Sequence, residues 1–287
     1  MEAAFDPEQV LSGQSGIVTG RRARAAGRLH DLADELAAWV RLVPARLDRA
    51  ARSGRQPAHV LGLYAADHAG SMRRAVAELR RSRRPLTIAL GALDGPASGL
   101  ERETRLAGLR GRGKFENLNG LLEHAEPAGA AWMIVMDDDV ELPHGFLDRF
   151  LFVCERLPLD LAQPALTHTS HAAWAVFRRR RWAVARVTWM VEIGPLTAFS
   201  RTVAGTLLPF PPLRMGWGLD AHWGALALEH GWRLGVVDAT PIRHASRVTA
   251  SSYDRAQALD ELRGFLQDRA WIDRKTANSV IETRRSW

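Results

Sequence analysis

The chain of 287 residues is 46% hydrophobic and 25% charged, an ordinary globular composition long enough for one large domain or two small ones. Its single cysteine, Cys154, excludes an internal disulfide framework and a cysteine-based zinc site, and fits a reducing, cytoplasmic setting. Thirty-nine basic against 32 acidic residues leave a formal charge of +7, which favours anionic partners such as nucleotide diphosphates, phosphates or an anionic membrane face.

Lys114 and Lys275 are the only lysines, and an arginine and alanine excess of this kind is weak support for nucleic acid as a partner. The N-terminus lacks the basic and apolar regions of a signal peptide, and no run reaches the roughly 18 apolar residues of a membrane span. Membrane contact, if any, is therefore expected to be peripheral.

Residues 1–20 are polar and bear Gly and Ser, which suggests a loose segment. Residues 28–52 show helical spacing through Leu29, Leu32, Leu36, Trp39, Val43 and Leu47, with Pro44 placed to kink or split the helix. The simplest expectation is a helix packed on the flank of the domain; a dimer-forming or acceptor-binding extension is the sharper alternative. From His59 the pattern becomes strand–helix–strand. Residues 59–65 and 86–93 read as strands, 70–84 as an arginine-rich amphipathic helix, and 94–112 as a loop with a short helix. Residues 114–124 read as a helix, 132–136 as the central strand, and Pro143 opens a helix to about Arg156.

Residues 160–166 (DLAQPAL) read as a strand that Pro164 places at an edge or a bend. An irregular stretch follows, ending in the run Arg178 to Arg181. Then come strand and turn at 187–200, a proline-punctuated loop at 208–213, a helix at 218–231, a strand at 233–237 and a final helix at 253–269. Strands alternating with helices imply a mostly parallel sheet in an α/β domain. The implied organisation is an N-terminal helical extension over 1–57, a catalytic domain over 58–250 and a C-terminal helix packed on it over 251–287.

The most informative stretch is 130–141, AAWMIVMDDDVE. An apolar run short enough for a strand buried on both faces drives into Asp137, Asp138 and Asp139. Three adjacent carboxylates repel one another, and a divalent cation relieves them. Mg²⁺ and Mn²⁺ take carboxylate oxygens and keep positions open for phosphate. Ligands of open α/β sheets sit at the carboxyl ends of strands. A metal–diphosphate site is therefore expected here, against the alternative of an exposed acidic turn capping the next helix.

Three further stretches carry candidates. In GWGLD, 216–220, Asp220 is placed as a helix N-cap, yet beside Trp217 it also suits sugar chemistry: an indole covers a pyranose face while a carboxylate holds hydroxyls. His244 follows VVDATPIR as either a structural histidine or a metal ligand, and Asp238 as a strand cap or a site residue. Glu192, in VTWMVEIGP, is a glutamate in a largely apolar strand, either paired to an arginine or facing a substrate. No P-loop, nucleophile elbow or zinc-protease pair is present.

Taken together, a DDD triplet ending an apolar strand, a later GWGLD and a late histidine after VVDA resemble a GT-A fold glycosyltransferase. The ordered segments also resemble an uncharacterised plant and bacterial domain family, number 707, whose members share WDDD-, QPAL-, VE-, GWGLD- and GVVDA-like pieces. Here these are 136–139, 163–166, 191–192, 216–220 and 235–239. The similarity covers about 59–246.

The resemblance implies a Rossmann-like, mostly parallel sheet flanked by helices, with an extra N-terminal helix. It implies ribose and diphosphate binding by Asp137, Asp138 and Asp139 through Mn²⁺ or Mg²⁺, with Asp139 and Asp137 as direct ligands and His244 completing the shell. Lys114 and Asn117 are assigned with Asp137 and Asp138 to the donor, and Trp217 and Trp189 to the acceptor. GWGLD is similar to the galactosyltransferase GWGGED segment, but Leu219 replaces a Gly-Glu pair and shortens it by one residue.

The expected activity is metal-dependent transfer of a hexose-like sugar from a nucleotide-diphospho-sugar to a hydroxyl acceptor, small molecule or glycan. If inverting, Asp220 is the base; if retaining, Glu192 faces the anomeric carbon. The rivals are a metal-dependent phosphotransferase, and a nucleotide-sugar or RNA-binding module without catalysis, whose footprint would be Arg178 to Arg181 with Trp174, Trp182 and Trp189. The oligomeric state is open, with a dimer one possibility.

Overall fold

The apolar runs β1 (Ala58–Tyr64), β2 (Leu86–Ala92) and β4 (Trp132–Met136) are largely buried and pair in parallel, β1 lying between the other two. They form the heart of the fold in a computed structural model that describes residues 6–12, 20–124, 129–245 and 254–287. The remaining strands are β3 (Thr104–Leu106), β5 (Val140–Glu141), β6 (Leu161–Leu166), β7 (Ala185–Thr188), β8 (Leu196–Ser200), β9 (Leu234–His244) and β10 (Val280–Arg284). The sheet has the order β10-β7-β9-β6-β8-β4-β1-β2-β3, with β5 pairing β9 beside this path. Within the path only β7 and β8 run against their neighbours. The mostly parallel α/β sheet expected from the alternation of elements is present.

The helices are α1 (Arg21–Val40), α2 (Val43–Ala50), α3 (Ala69–Leu79), α4 (Lys114–His124), α5 (Phe146–Arg156), α6 (Arg201–Leu207), α7 (Leu219–His230), α8 (Arg255–Leu266) and α9 (Arg274–Ala277). Among their contacts, α4 packs on β1 and β2, α6 on β4 and β8, and α5 against β9, α3 and α2. Phe146, Leu147, Phe150, Leu151, Val153 and Cys154 of α5 are all buried. Fully burying a side chain of the Leu or Phe kind contributes roughly 1.5–3 kcal/mol, so this face alone holds α5 in place.

Several boundaries differ from the sequence reading, each for a physical reason. The N-terminal helix is split, as Pro44 suggested: Leu42 adopts a left-handed conformation (φ 54°) and Pro44 opens α2. Yet α1 packs through Gly27, Asp34 and Ala37, while Leu29, Leu32, Leu36 and Trp39 are exposed. The flank-packed apolar face expected of this helix is therefore turned outward. The loop at 94–112 contains β3 and no helix, because Thr104 and Leu106 find free ladder positions beside β2. The helix after the aspartates starts at Phe146 rather than Pro143, since Val140 and Glu141 first pair with His244 and Arg243.

Pro164 lies inside the sheet. Pairing of β6 with β8 ends at Ala162, and the register with β9 shifts between Pro164 and Leu166, so the proline marks a bend. The strand expected to end at 237 runs on to His244. The terminal segment is not a lone helix: α9 and β10 follow α8, and β10 adds an edge strand to β7. The expectations for 1–5, 13–19, 246–250 and Tyr253 lie outside the described residues.

Candidate functional site

At the carboxyl end of β4 the chain turns at once into Asp137, Asp138 and Asp139, and their side chains diverge. Asp137 meets Lys114, the first residue of α4, at 2.6 Å. Lys114 Nζ also donates to the Ile193 carbonyl at 3.3 Å. Asp138 turns the other way: its Oδ2 accepts the Ala65 amide at 2.8 Å and its Oδ1 pairs with His68 Nδ1 at 3.0 Å. Burial pushes the Asp138 carboxyl up, while the hydrogen bond that His68 donates to Asp138 pushes the imidazole up. Asp139 is buried and lies 3.1 Å from His244 Nε2.

His244 reaches this point because β9 is longer than its sequence pattern suggests and pairs there with Val140. Burial works against charge on His244, but the hydrogen bond and charge of Asp139 prevail and raise its pKa. One donor atom each from Asp137, Asp139 and His244 lies within 4.8 Å of the others. Two carboxylate oxygens and an imidazole nitrogen suit a borderline divalent cation such as Mn²⁺, and with more water in the shell Mg²⁺. The residues expected as metal ligands are thus brought together, and Asp138 is separated from them.

Glu192 faces the same centre. It sits not in a strand but in the loop between β7 and β8. Its amide donates to Gln163 Oε1 at 2.5 Å, and its Oε2 is buried without a hydrogen-bond partner. No arginine pairs with it among the described residues. Burial pushes its pKa up to about 8, with His244, Asp220, Asp137 and Lys114 as the charges that act on it. The loop approaches closely at Gly194, where a Cβ would stand 2.7 Å from Asp137 Oδ2.

Asp220 is not the cap of α7. Gly218 (φ 91°) holds that position, and Asp220 lies in the first turn with Oδ1 accepting the Ala221 amide at 2.9 Å. Burial raises its carboxyl to about 6. The preceding loop is fixed from α8: the Glu261 carboxylate accepts the amides of Arg214, Met215 and Gly216 at 2.6–3.0 Å. Gly216 (φ 77°) is required there, because a Cβ would fall within 2.0 Å of the Phe115 ring. Trp217 is half-buried, with the Arg255 guanidinium 5.9 Å from its ring centroid.

Two assigned residues lie elsewhere. Asn117 is buried and its amide donates to the Leu109 carbonyl at 3.2 Å, so it holds that loop rather than meeting the aspartates. Trp189 lines a separate cleft of about 240 Å³ with Trp232, Leu228 and Ile281. Asp238 neither caps a strand nor joins the site. It is fully buried in a bidentate pair with Arg186, at 2.8 and 2.9 Å.

The arginine run is part-buried at Arg178 and Arg179 and exposed at Arg180 and Arg181. Arg178 donates to the carbonyl of His168 at 3.1 Å, Arg181 Nε lies 2.5 Å from Asp34, and the Arg180 amide binds Asp238. These contacts tie down the side chains of Arg178 and Arg181, while Arg180 and Trp182 remain exposed.

Residues that sequence reasoning missed are His68, His171 and Glu261. The His171 ring stands 5.6 Å from that of His244, its amide donates to the His244 carbonyl, and burial lowers its pKa. The pair His168 and His171 was visible in THTSH, but nothing local says that one of them reaches the far end of β9.

This sheet and its helices define a GT-A fold, and the resemblance to solved structures agrees. A mannosyltransferase from Pyrobaculum calidifontis, solved with GDP-Man and Mn²⁺, superposes with a TM-score of 0.54 at 17% identity, over 87% of this chain and 77% of that one. GalNAc-T7, solved with UDP, GalNAc and Mn²⁺, gives 0.53 at 12% identity over 69% of this chain and 45% of that one. S. aureus TarS residues 1–349, with UDP-GlcNAc, gives 0.53 at 11% identity over 72% and 64%. The chain thus spans less than half of the GalNAc-T7 chain and under two thirds of the TarS one. No protein-family model and no curated protein sequence matches the chain.

Proposed function

We propose that the chain is a metal-dependent glycosyltransferase that moves a sugar from a nucleotide-diphospho-sugar to a hydroxyl acceptor. The observation that carries this reading is the convergence of Asp137, Asp139 and His244 at the end of β4, with the shielded carboxyl of Glu192 beside them and that of Asp220 within electrostatic reach of Glu192. When bound there, Mn²⁺ or Mg²⁺ would neutralise the diphosphate leaving group. Lys114, beside Asp137, adds a positive charge for the same phosphates. Asp138 and His68 lie on the other side of the turn, where they can hold the ribose hydroxyls.

In this reading the sugar's anomeric C–O bond to the diphosphate breaks and a bond to the acceptor oxygen forms. The acceptor's proton passes to Asp220. A base with a pKa near 6 is ionised at neutral pH yet still basic enough to accept that proton, which favours Asp220 in this role. Glu192, near 8, is neutral at the same pH and serves as a hydrogen-bond donor to the donor sugar. That division favours inversion over a covalent route through Glu192. Trp217 offers an apolar platform to the acceptor. Mn²⁺ in two of the similar structures supports the same reading.

The test is thermal stabilisation by GDP- and UDP-sugars with and without Mn²⁺, followed by donor turnover. A nucleotide that binds the folded state raises the melting temperature. Stabilisation should require Mn²⁺ and vanish in Asp139→Ala with the fold intact. Full metal-dependent stabilisation in that variant would refute the assignment.

A further inference from the structure

We infer that the exposed face of α1 is a docking surface for an anionic phospholipid membrane. The helix is mounted with its polarity reversed. Its polar side is the side that packs: Asp31 accepts the His168 amide at 2.6 Å and the Thr169 hydroxyl at 2.8 Å. Asp34, buried, meets Arg181 Nε at 2.5 Å and His168 Nε2 at 3.1 Å. Gly27 lets the helix close on the His168 carbonyl. Leu29, Leu32, Leu36, Trp39 and Val40 recur at helical spacing and are 60–68% exposed, and Leu42 continues the stripe. Trp182, also exposed, is tied to its far end by Arg41, which donates to the Trp182 carbonyl at 3.0 Å.

Charge decides the occupant. Arg21, Arg22, Arg24 and Arg28 are exposed on α1, and Arg46 and Arg49 beyond it. The acidic groups of α1 are spent on the body of the protein except Glu35. A second copy packed with its α1 parallel to this one would set arginines against arginines. An anionic bilayer satisfies both features, apolar side chains entering the acyl boundary and guanidinium groups meeting phosphates. The loop that receives Asp31 also closes on His244: the His171 amide donates to the His244 carbonyl at 3.2 Å and the Ser170 hydroxyl accepts the His244 amide. The helix is thus mounted on the loop that also closes on the metal-ligand end of β9. The docking inference does not depend on the proposed chemistry.

Co-sedimentation of the full chain with phosphatidylcholine vesicles, with and without phosphatidylglycerol, tests it. Binding should require phosphatidylglycerol and weaken with salt. Leu32→Ser with Leu36→Ser should lower partitioning by about a hundredfold, and Arg22→Ser by about fivefold. Circular dichroism should show both variants folded, because the substituted side chains face solvent. Absence of binding, equal binding to phosphatidylcholine alone, or binding indifferent to these changes would overturn the inference. So would a dimer in sedimentation velocity that the leucine variant converts to monomer, which would make a second copy the occupant.

Discussion

Replacing Glu192 by glutamine should uncouple the stability of the protein from pH in a defined window. The native carboxyl has one oxygen buried without a partner, and burial raises its pKa from 4.5 to about 8. In the unfolded chain it titrates near 4.5. Between these values the native state holds a proton that the unfolded state has released. Stability therefore falls as pH rises through this window, by up to about 1.4 kcal/mol per pH unit from this one group. At pH 7 the accumulated loss is about 3 kcal/mol relative to acid conditions below both values. Glutamine keeps the shape and cannot ionise, so the variant lacks this slope.

Urea unfolding of metal-free wild type and Glu192→Gln at pH 5, 6, 7 and 8 measures the difference, and titrations common to both proteins largely cancel in it. The gap should widen steadily in favour of the variant. Parallel stability curves would refute the reasoning, by showing that water or a positive neighbour keeps Glu192 ionised in the native state.

Three further predictions follow from particular contacts. His244 has its pKa raised by Asp139 against the effect of burial and must be neutral to bind metal, so Mn²⁺ affinity should begin to weaken at a higher pH than for an ordinary imidazole; isothermal titration should find this pH dependence flattened in His244→Ala. Asp220→Asn should leave donor and metal binding intact and lower kcat by about 10²–10⁴, the range of a lost general base, with near-normal turnover returning Asp220 to a structural role in the first turn of α7. Asp238→Ala strands the fully buried Arg186 guanidinium, and chemical denaturation should show about 3–5 kcal/mol of destabilisation without change in Mn²⁺ affinity per folded molecule.

The sequence by itself determined what is local. The all-buried strand 132–136, its run into three aspartates, and the helix at 114–124 are properties of neighbouring residues, and they appear where the pattern puts them. The helix after GWGLD was legible too, though its cap is Gly218 rather than Asp220. Pro44 splits its helix, again a local effect.

What only the tertiary structure decided is which distant groups meet. That Asp137 and Asp139 share His244 while Asp138 turns to His68 depends on β9 reaching Val140, a pairing no periodicity encodes. Glu192 left its expected strand because the short β7 and β8 leave the intervening loop free to fold over Asp137. Asp238 found Arg186 across neighbouring strands, and α1 turned its leucines outward because Asp31 and Asp34 had partners on the body of the protein. An apolar stripe states that a face will be covered. Only the ion pairs and hydrogen bonds on the opposite face settle which side of a helix meets the core, since a buried carboxylate without a partner is far more costly than an exposed leucine.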